Sequence, residues 1–251
     1  MRYFLELAYN GKNYFGYQIQ PNQISVQEVI EDRLSKILRK EISIVGAGRT
    51  DSGVHAKKMF IHFDYDELLN NDLIKKLNSF LPKDIAAYRL FLMDDEAHAR
   101  FDATSRSYNY FISPFKDPFA FESAWIFNRK LDVEKMNDAA KLLIKQGDFG
   151  SFAKLHTDVK TNICDVREAF WRTNESNQLV FKITADRFLR NMVRAIVGTL
   201  VEVGLGKISI QDFEEIIEQK QRSSAGASAP AQGLYLVDVQ YPKELFKNEF
   251  K

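Results

Sequence analysis

The sequence predicts a mixed α+β fold, and three observations carry that prediction. Short alternating apolar segments, such as Arg2 to Tyr9 and Leu179 to Ala185, have the period of two that puts successive side chains on opposite faces of a strand. Between them stand stretches with apolar residues three and four apart, opened by helix-capping residues such as Ser25 and Asp132. The 251 residues are 45% hydrophobic and 27% charged, with 20 Phe and 10 Tyr, which is enough apolar mass for one large core or two modest ones.

Taken in order, the alternation of Arg2 to Tyr9 makes a first strand. Ser25-Val-Gln-Glu28 is a capping box, in which Ser and Glu satisfy each other's backbone N–H groups, and it opens a helix with Val26, Val29, Ile30, Leu34, Ile37 and Leu38 on one side. A glycine-rich loop, Gly46 to Ala56, comes next, and Lys57 to Tyr65 leaves it as a strand. Asn71 to Phe80 is a second helix stopped before Pro82, and Ile85 to Met93 is another strand. This first α+β unit is expected to span 1–102, and a second of similar style, without detectable internal repeat, 103–251.

The pattern of Ala99 to Ile112 returns to a strand, Asp132 caps a helix through Lys145 that stops at Gly147, and Thr161 to Arg172 pairs with Leu179 to Ala185. A long helix from about Asp186 to Val203 and a short one after Ser209 precede a last strand, Leu234 to Tyr241. The loop Ser223 to Gly233, rich in Ser, Ala, Gly and Pro, reads as part of a site, with a plain surface loop as the alternative.

The formal net charge is +1, so any nucleic-acid surface must be a local basic cleft balanced by acidic faces elsewhere. The single cysteine, Cys164, excludes an internal disulfide and a multi-thiolate zinc site, and the expected compartment is the reducing cytosol. Glu6 interrupts the apolar N-terminus, and no window offers eighteen uncharged apolar residues, so the expectation is a cytoplasmic protein, neither secreted nor membrane-spanning.

The densest chemistry lies in Gly46-Ala-Gly-Arg-Thr-Asp-Ser-Gly-Val-His-Ala56. Asp51 is centred in a glycine turn two residues after Arg49, and a carboxylate beside a guanidinium stays ionised and can serve as nucleophile or base. Local chemistry fits equally an Asx-turn in which Asp51 caps its own backbone. The loop lacks the Lys-Ser/Thr ending of a P-loop and the spacing of a dinucleotide fingerprint. His55 and His62 with Asp51 and Asp64 raise a metal site, but no recognised ligand spacing connects them, and no metal is expected. Phe91 to Arg100 and Lys154 to Lys160 read as solvated loop chemistry.

Tyr108 and Tyr110 share one face of a strand with Arg106 at its entry, which suits a base-stacking platform, although packing is the better role for at least one ring. In the helix after Asp186, Leu189, Met192, Val193, Ile196 and Leu200 form an apolar stripe, with Arg187, Arg190 and Arg194 on roughly the opposite side.

Several blocks together resemble the tRNA pseudouridine synthases of the TruA family. Gly48-Arg-Thr-Asp-Ser-Gly-Val-His-Ala56 is similar to that family's signature, and Tyr9-Asn-Gly-Lys-Asn-Tyr-Phe-Gly-Tyr-Gln18 to its opening motif. His98-Ala-Arg-Phe-Asp-Ala103, Ser105-Arg-Ser-Tyr-Asn-Tyr110, Arg187 to Gly198 and Ala229-Pro-Ala-Gln-Gly-Leu-Tyr-Leu236 follow in the family's order. One departure is Phe60-Ile61, where the family commonly has Gln-Val before the His-Phe-Asp of the strand after the loop.

The resemblance implies a pseudouridine synthase fold of two α+β halves, with antiparallel sheets meeting at a central catalytic cleft. It implies isomerisation of uridine to pseudouridine at positions 38, 39 and 40 of the tRNA anticodon stem-loop, with no cofactor, by a homodimer. Asp51 matches the catalytic residue, Arg194 the Arg of Met-Val-Arg that keeps it charged, Tyr108 the ring against the target uridine, and Leu234 an apolar residue near the base. Arg49, Arg187 and Arg190 are the further tRNA-contact candidates. A phosphate-cradling nucleotide enzyme and a non-catalytic RNA-binding module are the rival classes.

Overall fold

A computed structural model of the chain describes residues 1–154, 160–246 and 248–249. Of the stretch Lys154 to Lys160, residues 155–159, with His156, lie outside the described residues. In chain order the elements are β1 (Arg2–Tyr9), α1 (Val26–Leu38), β2 (Val45–Gly46), β3 (His55–Asp64), α2 (Asp72–Phe80), β4 (Ile85–Met93), β5 (Ser105–Ser113), β6 (Trp125–Ile126), α3 (Val133–Lys141), β7 (Gln146–Asp148), β8 (Ile163–Thr173), β9 (Leu179–Ala185), α4 (Met192–Gly204), α5 (Ile210–Gln219), β10 (Leu234–Gln240) and β11 (Asn248–Glu249). The fold is α+β, and the chain divides into two units, Met1–Ser105 with Leu236–Lys251 and Arg106–Tyr235.

In the first unit the strand order is β11-β4-β1-β3-β10, with β2 beside β3. The β1 pairings with β3 and β4 are antiparallel, and Tyr9 faces Ala56 just past a register shift after Leu7, at the mouth of the glycine loop. Ser25 and Glu28 form the expected capping box on α1, which buries Val26, Ile30 and Leu34. Helix α2 is clamped to β4 by Asn78, whose Nδ2 donates to the Ala87 carbonyl and whose Oδ1 accepts from the Ala87 N–H, both at 2.7 Å. Phe60 is buried and packs against Phe91, Tyr241 and Phe246, so the departure at Phe60-Ile61 is taken up in strand packing.

In the second unit the order is β5-β9-β8-β7, antiparallel throughout, with the short β6 parallel to β5. Asn137 on α3 repeats the device of Asn78: its Oδ1 accepts from the Trp171 N–H at 2.7 Å and its Nδ2 donates to the Trp171 carbonyl at 3.2 Å. One side chain satisfies both backbone groups of a strand residue, so a helix is docked without an unpaired amide.

Three elements differ from expectation for identifiable reasons. Strand β5 starts at Ser105 rather than Ala99, because His98 Nδ1 accepts the N–H groups of Arg100 and Phe101 and folds that stretch into a turn. Helix α3 ends at Lys141 rather than Lys145, since the Lys145 carbonyl accepts from Val166 and the following residues pair with β8 as β7. Helix α4 begins at Met192, not Asp186: Asn191 sits at φ 67° in the left-handed region, which ends any helix running through it.

Arg187 and Arg190 therefore lie before α4, and only Arg194 is on it. The helix is buried nearly all round, from Met192 and Val193 to Val203 and Gly204, so the expected cationic face on one amphipathic helix is not formed.

Candidate active site

The Asp51 turn is built from the N-terminal motif. Thr50 Oγ1 shares a 2.8 Å hydrogen bond with the Tyr9 hydroxyl, and the Thr50 carbonyl accepts from the Tyr17 N–H at 3.1 Å. The Tyr14 carbonyl accepts from the Gly53 N–H and the Ser52 hydroxyl, both at 3.3 Å. Gly53 N–H is the group an Asx-turn would direct to Asp51, so the turn is not of that kind; it closes through the Asp51 backbone carbonyl, which accepts from Val54 at 3.1 Å.

Two glycines make this contact possible. A Cβ on Gly11 would lie 1.9 Å from the Val54 carbonyl oxygen, and one on Gly16, at φ 95°, would lie 2.8 Å from that of Thr50. Asp51 is half-buried and Arg49 is exposed.

The two histidines of the metal hypothesis are used as acceptors. His55 Nδ1 receives the Gly11 N–H at 3.1 Å and His62 Nδ1 the Ala99 N–H at 3.0 Å. Burial above all, with the nearby charge of Arg2, holds the His62 imidazole down at about 4. His98, read as loop chemistry, instead packs edge-on against His62 with centroids 4.6 Å apart. Among the described residues no group of three His, Cys, Asp or Glu side chains could hold a metal ion, and no helix is long and apolar enough to cross a membrane.

In the second unit, β5 presents Tyr108 and Tyr110. Tyr110 is fully buried, and its hydroxyl donates to the Pro230 carbonyl at 2.8 Å. Burial pushes its ionisation well up, opposed by the charge of Arg194, so the phenol is a neutral donor. Gly233 lies against the same ring, where a Cβ would come within 2.7 Å of Cζ. Tyr108 keeps 9% of its surface exposed and meets the ring of Phe188 edge-on at 5.1 Å.

The small-residue loop Ser223 to Gly233 is bound to α4. Arg194 Nε donates to the Ala229 carbonyl at 2.7 Å, Asn191 Nδ2 to Ser228 Oγ at 2.7 Å, and the Gly226 N–H to Thr199 Oγ1 at 3.0 Å. A Cβ on Gly198 would lie 1.8 Å from the Ala227 carbonyl oxygen, so this helix glycine is needed for the close approach. Arg222 closes the loop from within, donating to Ala225, Gly226 and Ser228.

Asp51 and Arg49 thus belong to the first unit, and Tyr108, Arg187, Arg190, Arg194 and Leu234 to the second. Arg187 is half-buried near Cys164, whose thiol burial pushes up to about 12; Arg190 is exposed, and Leu234 is buried at the start of β10. Phe188, Asn191 and Ala229 were not singled out from the sequence. Asn191 carried a signal, an Asn inside a pattern read as helix, since Asn is among the few residues at ease in the left-handed region.

The chain matches the family described as tRNA pseudouridine synthase over residues 7–102 and 139–242. Among its relatives, the tRNA pseudouridine synthase A of Parabacteroides distasonis is 55% identical over 250 residues, covering 99% of each chain. That of Bacteroides fragilis is 54% identical over 98% of each, and that of Bacillus subtilis 40% identical over 96% of this chain and 99% of its own. With a family match across most of its length and relatives above half identity end to end, the chain belongs to the tRNA pseudouridine synthase family.

Proposed function

We propose that this chain isomerises uridine to pseudouridine in the anticodon stem-loop of tRNA, at positions 38, 39 and 40, with Asp51 as the catalytic carboxylate and no cofactor. Family membership supports the reaction and the tRNA substrate. The observation that carries the assignment of Asp51 is its place at the centre of a turn that backbone groups, Thr50 and the close approaches of Gly11 and Gly16 fix from the N-terminal motif, so the carboxylate stands at a defined position.

The target uridine must leave its stack before its glycosidic bond is reachable, at a cost of a few kcal/mol that an aromatic face offsets. Tyr108 is the proposed face, braced by Phe188. Asp51 then acts on the ribose, either attacking C1′ or removing the 2′ proton to give a glycal. In the first route the N1–C1′ bond breaks as the Asp51–C1′ bond forms, and that bond breaks in turn when C5 attacks C1′; in the second, N1 leaves as the 2′ proton passes to Asp51, which returns it to C2′ as C5 bonds to C1′. In both the uracil turns between the two steps, the hydrogen at C5 leaves as a proton and N1 takes one up. Both routes need an ionised Asp51, and Arg194 is the proposed partner, its guanidinium fixed through Nε. Leu234 is proposed to lie near the base, and Arg49, Arg187 and Arg190 to contact the tRNA. A homodimer in the cytoplasm is part of the same proposal.

Tritium release from tRNA carrying 5-tritiated uridine tests the reading, because only rejoining at C5 expels that hydrogen. Release with wild-type protein supports it. Binding of tRNA without release leaves an RNA-binding module, and absence of both removes the RNA reading.

A further inference from the structure

We propose that the hairpin from Gln18 to Ile24, with Phe15 beneath it, is a shelf that takes an unpaired nucleobase of the RNA substrate next to the reacting uridine. This rests on the proposed function and names a second contact for the same substrate.

The hairpin is a defined structure. Gln20 and Gln23 form an antiparallel bridge around Pro21 and Asn22, the latter at φ 59°, residues of the kind a type II turn calls for. The Phe15 N–H donates to the Ile24 carbonyl at 3.0 Å, Gln20 Nε2 to the Phe15 carbonyl at 2.7 Å, and the Ile19 N–H to Gln27 Oε1 at 3.3 Å. These bonds hold Phe15, Ile19 and Ile24 in one small unit, yet the three are 49%, 45% and 59% exposed. A single exposed apolar side chain needs no explanation; three on one ordered hairpin mark a contact surface.

Position and charge select the occupant. Phe15 lies between Tyr14 and Gly16, the residues whose backbones support the Asp51 turn, so the shelf is continuous with that turn. From Gly11 to Gln27 there is no Asp or Glu, in a chain with 34 of them among 251 residues. What surrounds the apolar side chains is amide: Gln18, Gln20, Asn22 and Gln23 are all exposed, as is Arg49 on the neighbouring turn. The hairpin contributes no carboxylate of its own, and those beside it are engaged, Asp84 by Asn13 and Tyr14 and Glu28 by the Ser25 N–H; such a face tolerates a phosphate backbone, apolar side chains receive the face of a base, and amides bond to base edges.

The test compares wild type with Phe15→Ala, Phe15→Trp and the double variant Ile19→Ser with Ile24→Ser. It reads Kd for tRNA at several salt concentrations, single-turnover tritium release at saturating protein, thermal unfolding and sedimentation. Phe15→Ala and the double variant are expected to stay folded and weaken tRNA binding about fivefold or more, the equivalent of losing one stacked base. Their saturated single-turnover rates should stay within about threefold of wild type, and Phe15→Trp, which restores a ring, should bind as wild type does. The slope of log Kd against log salt should not change, because no phosphate contact is removed.

Folded variants that bind tRNA within twofold of wild type overturn the shelf, as does a change in salt slope. A loss of oligomer in the double variant overturns it too, by showing the patch to be an interface between copies. Wild-type protein that releases no tritium overturns the proposed reaction instead, and the shelf falls with it.

Discussion

Arg194 and Ala229 hold each other twice: Arg194 Nε–H donates to the Ala229 carbonyl at 2.7 Å, and the Ala229 N–H donates to the Arg194 carbonyl at 2.9 Å. The first turn of α4 and the small-residue loop are therefore one structure, and the bond through Nε sets the direction of the guanidinium.

Replacing Arg194 separates charge from geometry. Arg194→Ala is expected to abolish turnover, and Arg194→Lys to lower it by at least tenfold, since an ammonium keeps the charge but not the Nε contact. Tritium release on both variants, with proteolysis to detect release of the loop from α4, measures this. A Lys variant as active as wild type would sink the geometric argument.

For Asp51, Asn is the informative replacement because it keeps size and shape. Since the turn is closed by the backbone and by Thr50, Asp51→Asn is expected to melt within a few degrees of wild type and to bind tRNA, yet to form no pseudouridine. Residual turnover within tenfold of wild type would remove Asp51 from the chemistry.

The two tyrosines of β5 are expected to respond differently. Tyr108→Leu should lose single-turnover rate by a margin comparable to a stacking contribution of about 1 to 3 kcal/mol, whereas Tyr108→Phe should lose little unless the hydroxyl moves the C5 proton. Tyr110→Phe strands the Pro230 carbonyl and should cost about 1 to 3 kcal/mol of stability in urea unfolding, with turnover of the folded protein largely kept. If Tyr110→Leu stops turnover in a folded protein while Tyr108→Leu does not, the roles are exchanged.

Stability should fall on the acid side through His62. Its folded value of about 4 lies below the ordinary one of roughly 6.5, so above neutrality both states are uncharged and the group contributes nothing to pH dependence. As pH falls below about 6.5 the unfolded chain takes up the proton first, and stability drops until the folded value is passed; His98, also lowered by burial, acts in the same direction. Urea midpoints at pH 7 and 5 should differ by the equivalent of about 2 kcal/mol from His62, and His62→Gln, which keeps an acceptor for the Ala99 N–H, should reduce that difference. An unchanged difference in a folded Gln variant would assign the acid sensitivity elsewhere.

Much of the fold was legible because its signals are local. Strand Ile85–Met93 and strand Leu179–Ala185 stand where alternation put them, and Ser25 with Glu28 forms its capping box, since these features depend on neighbours within a turn of the chain. The Asp51 loop announced itself through three glycines and a dense run of polar groups, though not the Gly11 and Gly16 contacts that support it from forty residues away. Tertiary structure alone decided where α4 begins. Asn191 turns left-handed while bonding Ser228, and Asp186 is held by the Asp165 backbone, so residues with good helical spacing are pulled out of the helix by partners distant in sequence. The same cause separates Arg187 and Arg190 from Arg194. Periodicity can state which residues would share a helix face, but burial on all sides of α4, worth roughly 1.5 to 3 kcal/mol for each large aliphatic side chain, outweighs the few tenths per residue that helix propensity offers and determines which residues join it.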